Sequence, residues 1–173
     1  MPAPRLARRS LLVLQLVGGG AAFLHITASY IVHLPPSYIP LAAALMAAGI
    51  VQLVATFWMN IGPDGRIDIF FALGSLPRLG RLVALALGAY FAVAATTGIF
   101  SGPQSKAPMV TDDHGNYRVV RNGERFPSTE SDLHAATNQA VHVASGVAGL
   151  AFVLGFSLTW TREGNAGATG PSS

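Results

Sequence analysis

The chain of 173 residues contains no cysteine. That absence excludes disulfides, iron–sulfur clusters, thiolate zinc sites and thiol catalysis, and it leaves any external loop without a covalent staple. Charge is also scarce: 11% of residues are Asp, Glu, Lys or Arg, against about 25% in soluble domains. The long apolar segments hold no Asp, Glu or Lys, so no nucleophile–base–orienter set can be assembled within them. Nucleophile elbows and phosphate-binding loops are absent as well. Repeats with broken helices or buried ion ligands, which mark transporters, do not occur. The net charge is +3 and the isoelectric point about 9.8. The basic residues are nevertheless scattered among apolar runs rather than gathered with stacking aromatics, which argues against nucleic acid as a partner.

What is present is hydrocarbon: 51% of residues are hydrophobic. A membrane-spanning helix needs about 20 mostly apolar residues, and four segments reach that length, Ser10–Leu34, Ser37–Asn60, Leu82–Phe100 and Ala135–Trp160. Pro35, Pro36 and Pro40 introduce the second, where proline fits a turn or a first helical turn. The first two spans are thus expected to form a tight hairpin. Arg8-Arg9-Ser10-Leu11-Leu12 opens like an export signal, but hydrophobicity continues to Val32 without a small-x-small cleavage site, so an uncleaved span is expected.

Orientation follows from the basic residues that flank the spans. With the N-terminus inside, Arg5, Arg8, Arg9, Arg66, Arg78, Arg81 and Arg162 are cytoplasmic, and Lys106, Arg118, Arg121 and Arg125 share one long outer loop. Trp58 and Trp160 then fall at inner ends, and Tyr30 and Tyr38 at outer ends. The expectation is an all-α membrane protein of the cell membrane, with both termini cytoplasmic. Residues 1–163 form an antiparallel bundle of four transmembrane helices, and residues 164–173 a disordered tail rich in Gly, Ala and Ser.

The inner connection, 61–81, carries the turn Gly62-Pro63-Asp64-Gly65 and a short apolar run expected to lie along the inner membrane surface, with Arg78 and Arg81 facing phosphates. In the outer loop, 101–133, Asn122-Gly123 separates two strand-like runs and predicts a β-hairpin between the third and fourth spans. A lone hairpin is marginal in water, so it must rest on the helix ends or on another membrane or extracytoplasmic protein. Thr111 to Asn116 gathers oxygen ligands but lacks calcium-loop spacing and reads as a solvated turn. Ser128 to Asp132 reads as the capped start of the last helix.

Ionisable groups within spans are costly and mark function by default; here they are histidines. His25 and His33 lie on the first span, and His134 and His142 at the start of and within the fourth. Each pair is eight residues apart, about 12 Å along a helix. Antiparallel packing sets His33 level with His134, and His25 level with His142. Three readings follow. His25 and His142 are candidate axial ligands of haem b, with Gly18 to Gly20, Gly146 and Gly149 leaving room for the ring. His33 and His134 are candidate ligands of a metal such as copper. Alternatively, His25 and His142 hydrogen-bond across helices to each other or to Ser145, Asn138 or Gln139. Small residues four apart, Gly18 with Ala22, Ala44 with Ala48 and Ser145 with Gly149, are expected at close helix contacts.

The run Asn138 to Leu150, carrying Asn138, His142, Gly146 and Gly149, resembles the signature of small four-span actinobacterial membrane proteins of unknown function. Thr137 stands where that family has a further histidine, and the motif lies there on an earlier span. The resemblance implies a bundle in which Asn138 and His142 serve a helix interface, and no substrate. Three functions are therefore expected to compete: a non-enzymatic subunit or scaffold of a membrane complex, a haem-binding redox subunit, and a small-molecule or metal-binding module.

Overall fold

The computed structural model describes residues 5–32, 34–60, 69–100, 109–112, 116–121 and 124–168. Among them the chain forms helices α1 (Arg5–Ile31), α2 (Tyr38–Asn60), α3 (Ile69–Ser75), α4 (Arg78–Phe100) and α5 (Glu130–Ala168), with strands β1 (Met109–Thr111), β2 (Tyr117–Arg121) and β3 (Glu124–Pro127) between α4 and α5. Four of the helices are long and apolar enough to cross a membrane, α1, α2, α4 and the Glu130–Trp160 part of α5. Each matches an expected span.

The termini of these helices follow local chemistry. Tyr38 N–H donates to Pro35 O and Ile39 N–H to Pro36 O, both at 3.0 Å, so the prolines build the turn that enters α2. Pro40 sits in its first turn, where a missing N–H costs no ladder bond. At the start of α5, Thr129 N–H and Oγ1–H donate to Asp132 Oδ2 at 3.0 and 2.7 Å, and Asp132 N–H returns a bond to Thr129 Oγ1 at 3.2 Å. This is a capping box with Asp in place of the usual Glu. At its other end α5 stays helical to Ala168, so the expected tail loses residues 164–168 to the helix. Extending a formed helix adds one hydrogen bond per residue fixed, whereas nucleation is the costly step.

The long helices do not contribute equally. Within its most apolar stretch α5 is 61% buried, against 33% for α1 and 22% each for α2 and α4. Helix α5 is the hub, and α1, α2 and α4 pack around it. It runs antiparallel to α1 and α4, since Gly18 meets Phe152 and Gly98 meets His142, and parallel to α2, since Gly49 meets Ala148 while Gln52 bonds to Ala151. The N-termini of α1 and α4 therefore share one end of the bundle, the arginine end, and the sheet lies at the other.

Packing at the hub works by sockets. The Phe91 ring of α4 fills the space beside Gly149, and the Phe152 ring of α5 fills that beside Gly18. Both rings are almost wholly buried, with Ala22, Ile26, Ala94 and Ala148 around them. Gly18 with Ala22 and Ser145 with Gly149 are close contacts as expected, but Ala44 and Ala48 are exposed. On α2 the buried stripe is Ala42, Gly49, Gln52 and Thr56 instead. Small residues lie on several faces of α2, and the two glutamine and threonine groups decide which face turns inward.

Helix α3 packs against α5, with Ala72 and Leu76 buried. The exposed Arg81 guanidinium donates to the carbonyls of Gly74 and Leu76 and so caps the end of α3. The turn 62–65 lies outside the described residues. At the opposite end the expected hairpin is present as β2 and β3, antiparallel with Val119 opposite Phe126; its Asn122-Gly123 turn lies outside the described residues. A third strand, β1, extends it with Val110 opposite Arg118. The carboxylate of Asp112 accepts from Asn116 N–H at 2.8 Å and from Arg118 Nε–H at 3.1 Å. It therefore ties the end of β1 to the start of β2.

Candidate functional site

Two layers of polar side chains lie between the long helices. In the layer nearer the sheet, α1 offers His25 and, one turn on, Ser29, while α5 offers His142 and, three residues on, Ser145. Residues three or four apart share a helix face, so each helix presents one imidazole and one hydroxyl. Antiparallel contact pairs them crosswise: His25 Nδ1 lies 3.0 Å from Ser145 Oγ, and His142 Nε2 lies 2.7 Å from Ser29 Oγ. Ser29 Oγ–H already donates to Ile26 O at 2.6 Å, so its oxygen accepts, and His142 carries its proton on Nε2. Tyrosine rings cover both imidazoles, Tyr30 over His142 at 4.6 Å between centroids and Tyr38 over His25 at 5.5 Å.

His25 is thus level with Ser145, and His142 with Ser29. The two imidazoles are staggered by about one turn, on the order of 5 Å, instead of sharing a depth. The reading in which His25 bonds to Ser145 describes this layer; Ser29, the partner of His142, was not among the residues singled out from sequence. Its signal was its place four residues after His25. Asn138 is half-buried, its Oδ1 without a hydrogen-bond partner among the described residues, and Gln139 is half-buried beside it.

The residues present do not fit a haem held by His25 and His142. Each axial imidazole binds iron through one nitrogen; His25 Nε2 has no hydrogen-bond partner among the described residues, but His142 Nε2 is held by Ser29 and the two rings are staggered by about one turn. The space beside Gly18, Gly146 and Gly149 is taken by Phe152, by Ala95 and by Phe91, and a macrocycle has no slot there. His33 lies outside the described residues. His134 Nε2 sits 3.5 Å from Glu130 Oε1, one turn earlier on α5. Among the described residues, no three His, Asp or Glu side chains gather in a metal-binding cluster.

The second layer, toward the arginine end, is a buried amide network. Gln15 Nε2 faces Gln52 Oε1 and Thr56 Oγ1, both at 3.0 Å, and Thr159 Oγ1 at 3.3 Å. Its orientation is fixed by its neighbours. Thr56 Oγ1–H donates to Gln52 O and Thr159 Oγ1–H to Gly155 O, at 2.8 and 2.9 Å. Gln52 Nε2–H donates to Ala151 O at 2.8 Å. Every oxygen facing Gln15 is therefore an acceptor, so Gln15 must turn its NH₂ toward them. Gly155 permits the contact, since a Cβ there would stand 2.6 Å from Gln52 Oε1. Gln15 and Gln52 bond to neighbouring helices, while Thr56 donates to its own backbone and accepts from Gln15.

No protein-family model, curated protein or solved structure matches the chain.

A double-mutant cycle on Ser29→Ala and His142→Phe checks the outer layer. The expected coupling is about 0.6 to 1.7 kcal/mol, the range for interhelical hydrogen bonds in membranes. Strictly additive losses in reversible unfolding would show that the 2.7 Å contact contributes nothing.

Proposed function

We propose that the chain is a multi-pass protein of the cell membrane with both termini in the cytoplasm, acting as a non-enzymatic subunit or scaffold. In this reading the bundle is a rigid support, and loop 101–133 meets another membrane or extracytoplasmic protein. The observation that carries it is that histidines and glutamines of the long helices are tied into the helix interfaces. Gln15, His25, Gln52 and His142 all hydrogen-bond across helix interfaces, where such contacts fix register. The sheet supports the same reading: β3 is exposed along its whole length, with Phe126 among its exposed residues, and an uncovered edge strand is a template for pairing.

The absence of native cysteine makes the test direct. Glu124→Cys in β3 and Gly74→Cys in α3 replace exposed residues. A membrane-impermeant maleimide applied to intact cells is expected to label the first and not the second, and labelling of Gly74→Cys would reverse the orientation. Mild detergent extraction is expected to yield a complex well above the 18.0 kDa chain, which falls apart when Arg125 and Phe126 are both replaced by Ser. A solitary 18.0 kDa species from native membranes would overturn the subunit role.

A further inference from the structure

Helices α1 and α4 meet toward the sheet end, where Thr27 Oγ1 and Tyr90 Oη lie 3.1 Å apart and the Phe23 and Tyr90 rings are 5.1 Å apart. Toward the arginine end a cleft of about 350 Å³ lies between them, with Phe152 and Phe156 of α5 in its lining. On α4 the lining runs from Leu79 to Phe91, about 18 Å along the helix. A bilayer's hydrocarbon core is about 30 Å thick, so the cleft is about as long as one leaflet is deep. Its walls are apolar apart from Gln15, whose NH₂ belongs to the inner network. Walls of this kind accept any hydrocarbon; what selects an occupant is the charge at the cleft's end.

Two arginines stand in line with the cleft. Arg8 is seven residues before Gln15 and eleven before Gly19, and Arg9 is seven before Leu16 and eleven before Gly20; all four of the later residues line the cleft. Those spacings are close to two and three helical turns, which sets Arg8 and Arg9 on the cleft face of α1, about 10 Å nearer its N-terminus. Arg8 is half-buried and Arg9 exposed. The sequence assigns this end seven arginines against three acidic residues, Asp64, Asp68 and Glu163. Positive charge therefore remains in excess however these groups pair.

We propose that the cleft seats one acyl chain of an anionic phospholipid, whose phosphate is met by Arg8 and Arg9. This rests on the reading that the long helices cross a membrane. The volume is at the lower end of small-ligand sites, about 300 to 1,000 Å³, so one chain enters and the other stays in the bilayer. A chain lying between Gly80 and Phe91 brings its headgroup out toward the N-terminal turns of α1, where the two guanidinium groups are. Guanidinium pairs with phosphate through parallel N–H···O bonds, and basic residues beside a span favour anionic over zwitterionic headgroups. A neutral hydrocarbon guest fills the same walls and gains nothing from that charge.

The test uses the full chain, extracted in mild detergent, stripped of lipid and given equimolar dioleoyl-phosphatidylglycerol and dioleoyl-phosphatidylcholine, which share their chains. Native mass spectrometry counts the lipid retained. Phosphatidylglycerol is expected to be preferred by on the order of tenfold. Replacing Arg8 and Arg9 together by Gln is expected to abolish the preference, whereas replacing Arg78 and Arg125 by Gln removes as much charge and is expected to keep it. Gly20→Leu, placed in the cleft where a Cβ meets nothing within 4 Å, is expected to lower retention of both lipids by about tenfold. Gly88→Leu, equally unobstructed but outside the cleft lining, is expected to leave it unchanged. Equal retention of the two lipids by the native chain would overturn the proposal and mark the cleft as a slot for hydrocarbon. An equal loss from both arginine pairs would overturn it as general charge attraction, and retention unaffected by Gly20→Leu would place the lipid elsewhere. The native chain's choice between the lipids decides the matter even where a variant does not fold. Release of the chain from membranes by alkaline carbonate would overturn the spanning reading and this one with it; a chain that stays in the membrane and shows no preference overturns the lipid site alone.

Discussion

Gly146→Ala is expected to destabilise the bundle by about 2 to 3 kcal/mol, a large loss for one methyl group. A Cβ at that position would stand 2.7 Å from Ala95 N and 2.9 Å from Phe91 O. Those are backbone atoms of α4, so the clash cannot be relieved by turning a side chain; α4 as a whole must move off α5. Overpacking of a close contact ordinarily costs about 1 to 3 kcal/mol, and a backbone-limited contact belongs at the upper end. The control is Gly20→Ala on α1, where a Cβ meets nothing within 4 Å. Ala is the better helix former by up to about 1 kcal/mol, so this variant is expected to be neutral or slightly more stable. Reversible unfolding in mixed micelles measures both. Equal stabilities for the two variants would mean that α4 is not held at Gly146.

The second large effect is expected at Gln52, where one amide does two jobs. Its Oε1 receives the Gln15 N–H and its Nε2–H reaches Ala151 O, so α1, α2 and α5 meet through a single side chain. Interhelical hydrogen bonds in membranes average about 0.6 kcal/mol and reach about 1.7. Gln52→Leu is therefore expected to cost about 1 to 3 kcal/mol, because it removes two bonds and strands buried groups on both neighbours. Gln15→Leu in the same chain is expected to add less than its cost alone, since stripping both partners of a buried bond is milder than orphaning one. A double-mutant cycle by the same unfolding measurement is expected to give a coupling of about 1 kcal/mol. Independent, additive losses would dissolve the network into unrelated contacts.

Both predictions depend on α5 being the central helix, a property that hydropathy does not carry. In water, a central helix is more apolar than a peripheral one. In lipid the surroundings are as apolar as the core, and the most apolar stretches of α1 and α5 have the same mean hydropathy, 1.8, although α5 is nearly twice as buried. What separates α5 is its glycines, serines and threonines, which receive neighbouring helices on several sides. Their meaning appears only when the neighbours are in place. Ala44 and Ala48 carry the same small-residue spacing as Ser145 and Gly149, yet they are exposed.

The candidate site divides in the same way. His25, His142 and Ser145 stand out in the sequence because polar groups are rare in apolar runs. Ser29 and Thr159 do not, since a hydroxyl in a helix can satisfy itself on its own backbone, and both do so here while also accepting from another helix. The stagger that pairs each histidine with a serine, instead of with the other histidine, comes from the register of α1 against α5. That register is set by Phe152 entering beside Gly18 and by the network around Gln15, contacts far apart in the chain.

Composition and local pattern by themselves determined the four long apolar helices, the proline turn into α2, the capping box at Thr129 and the β2–β3 hairpin, because each is fixed by residues within a turn or a span of one another. The tertiary structure alone decided that α5 is the hub and that His25 and His142 face serines of the opposite helix. Those features depend on which faces meet and at what register, and among helices that are apolar on every face only packing and a few buried hydrogen bonds choose among the alternatives.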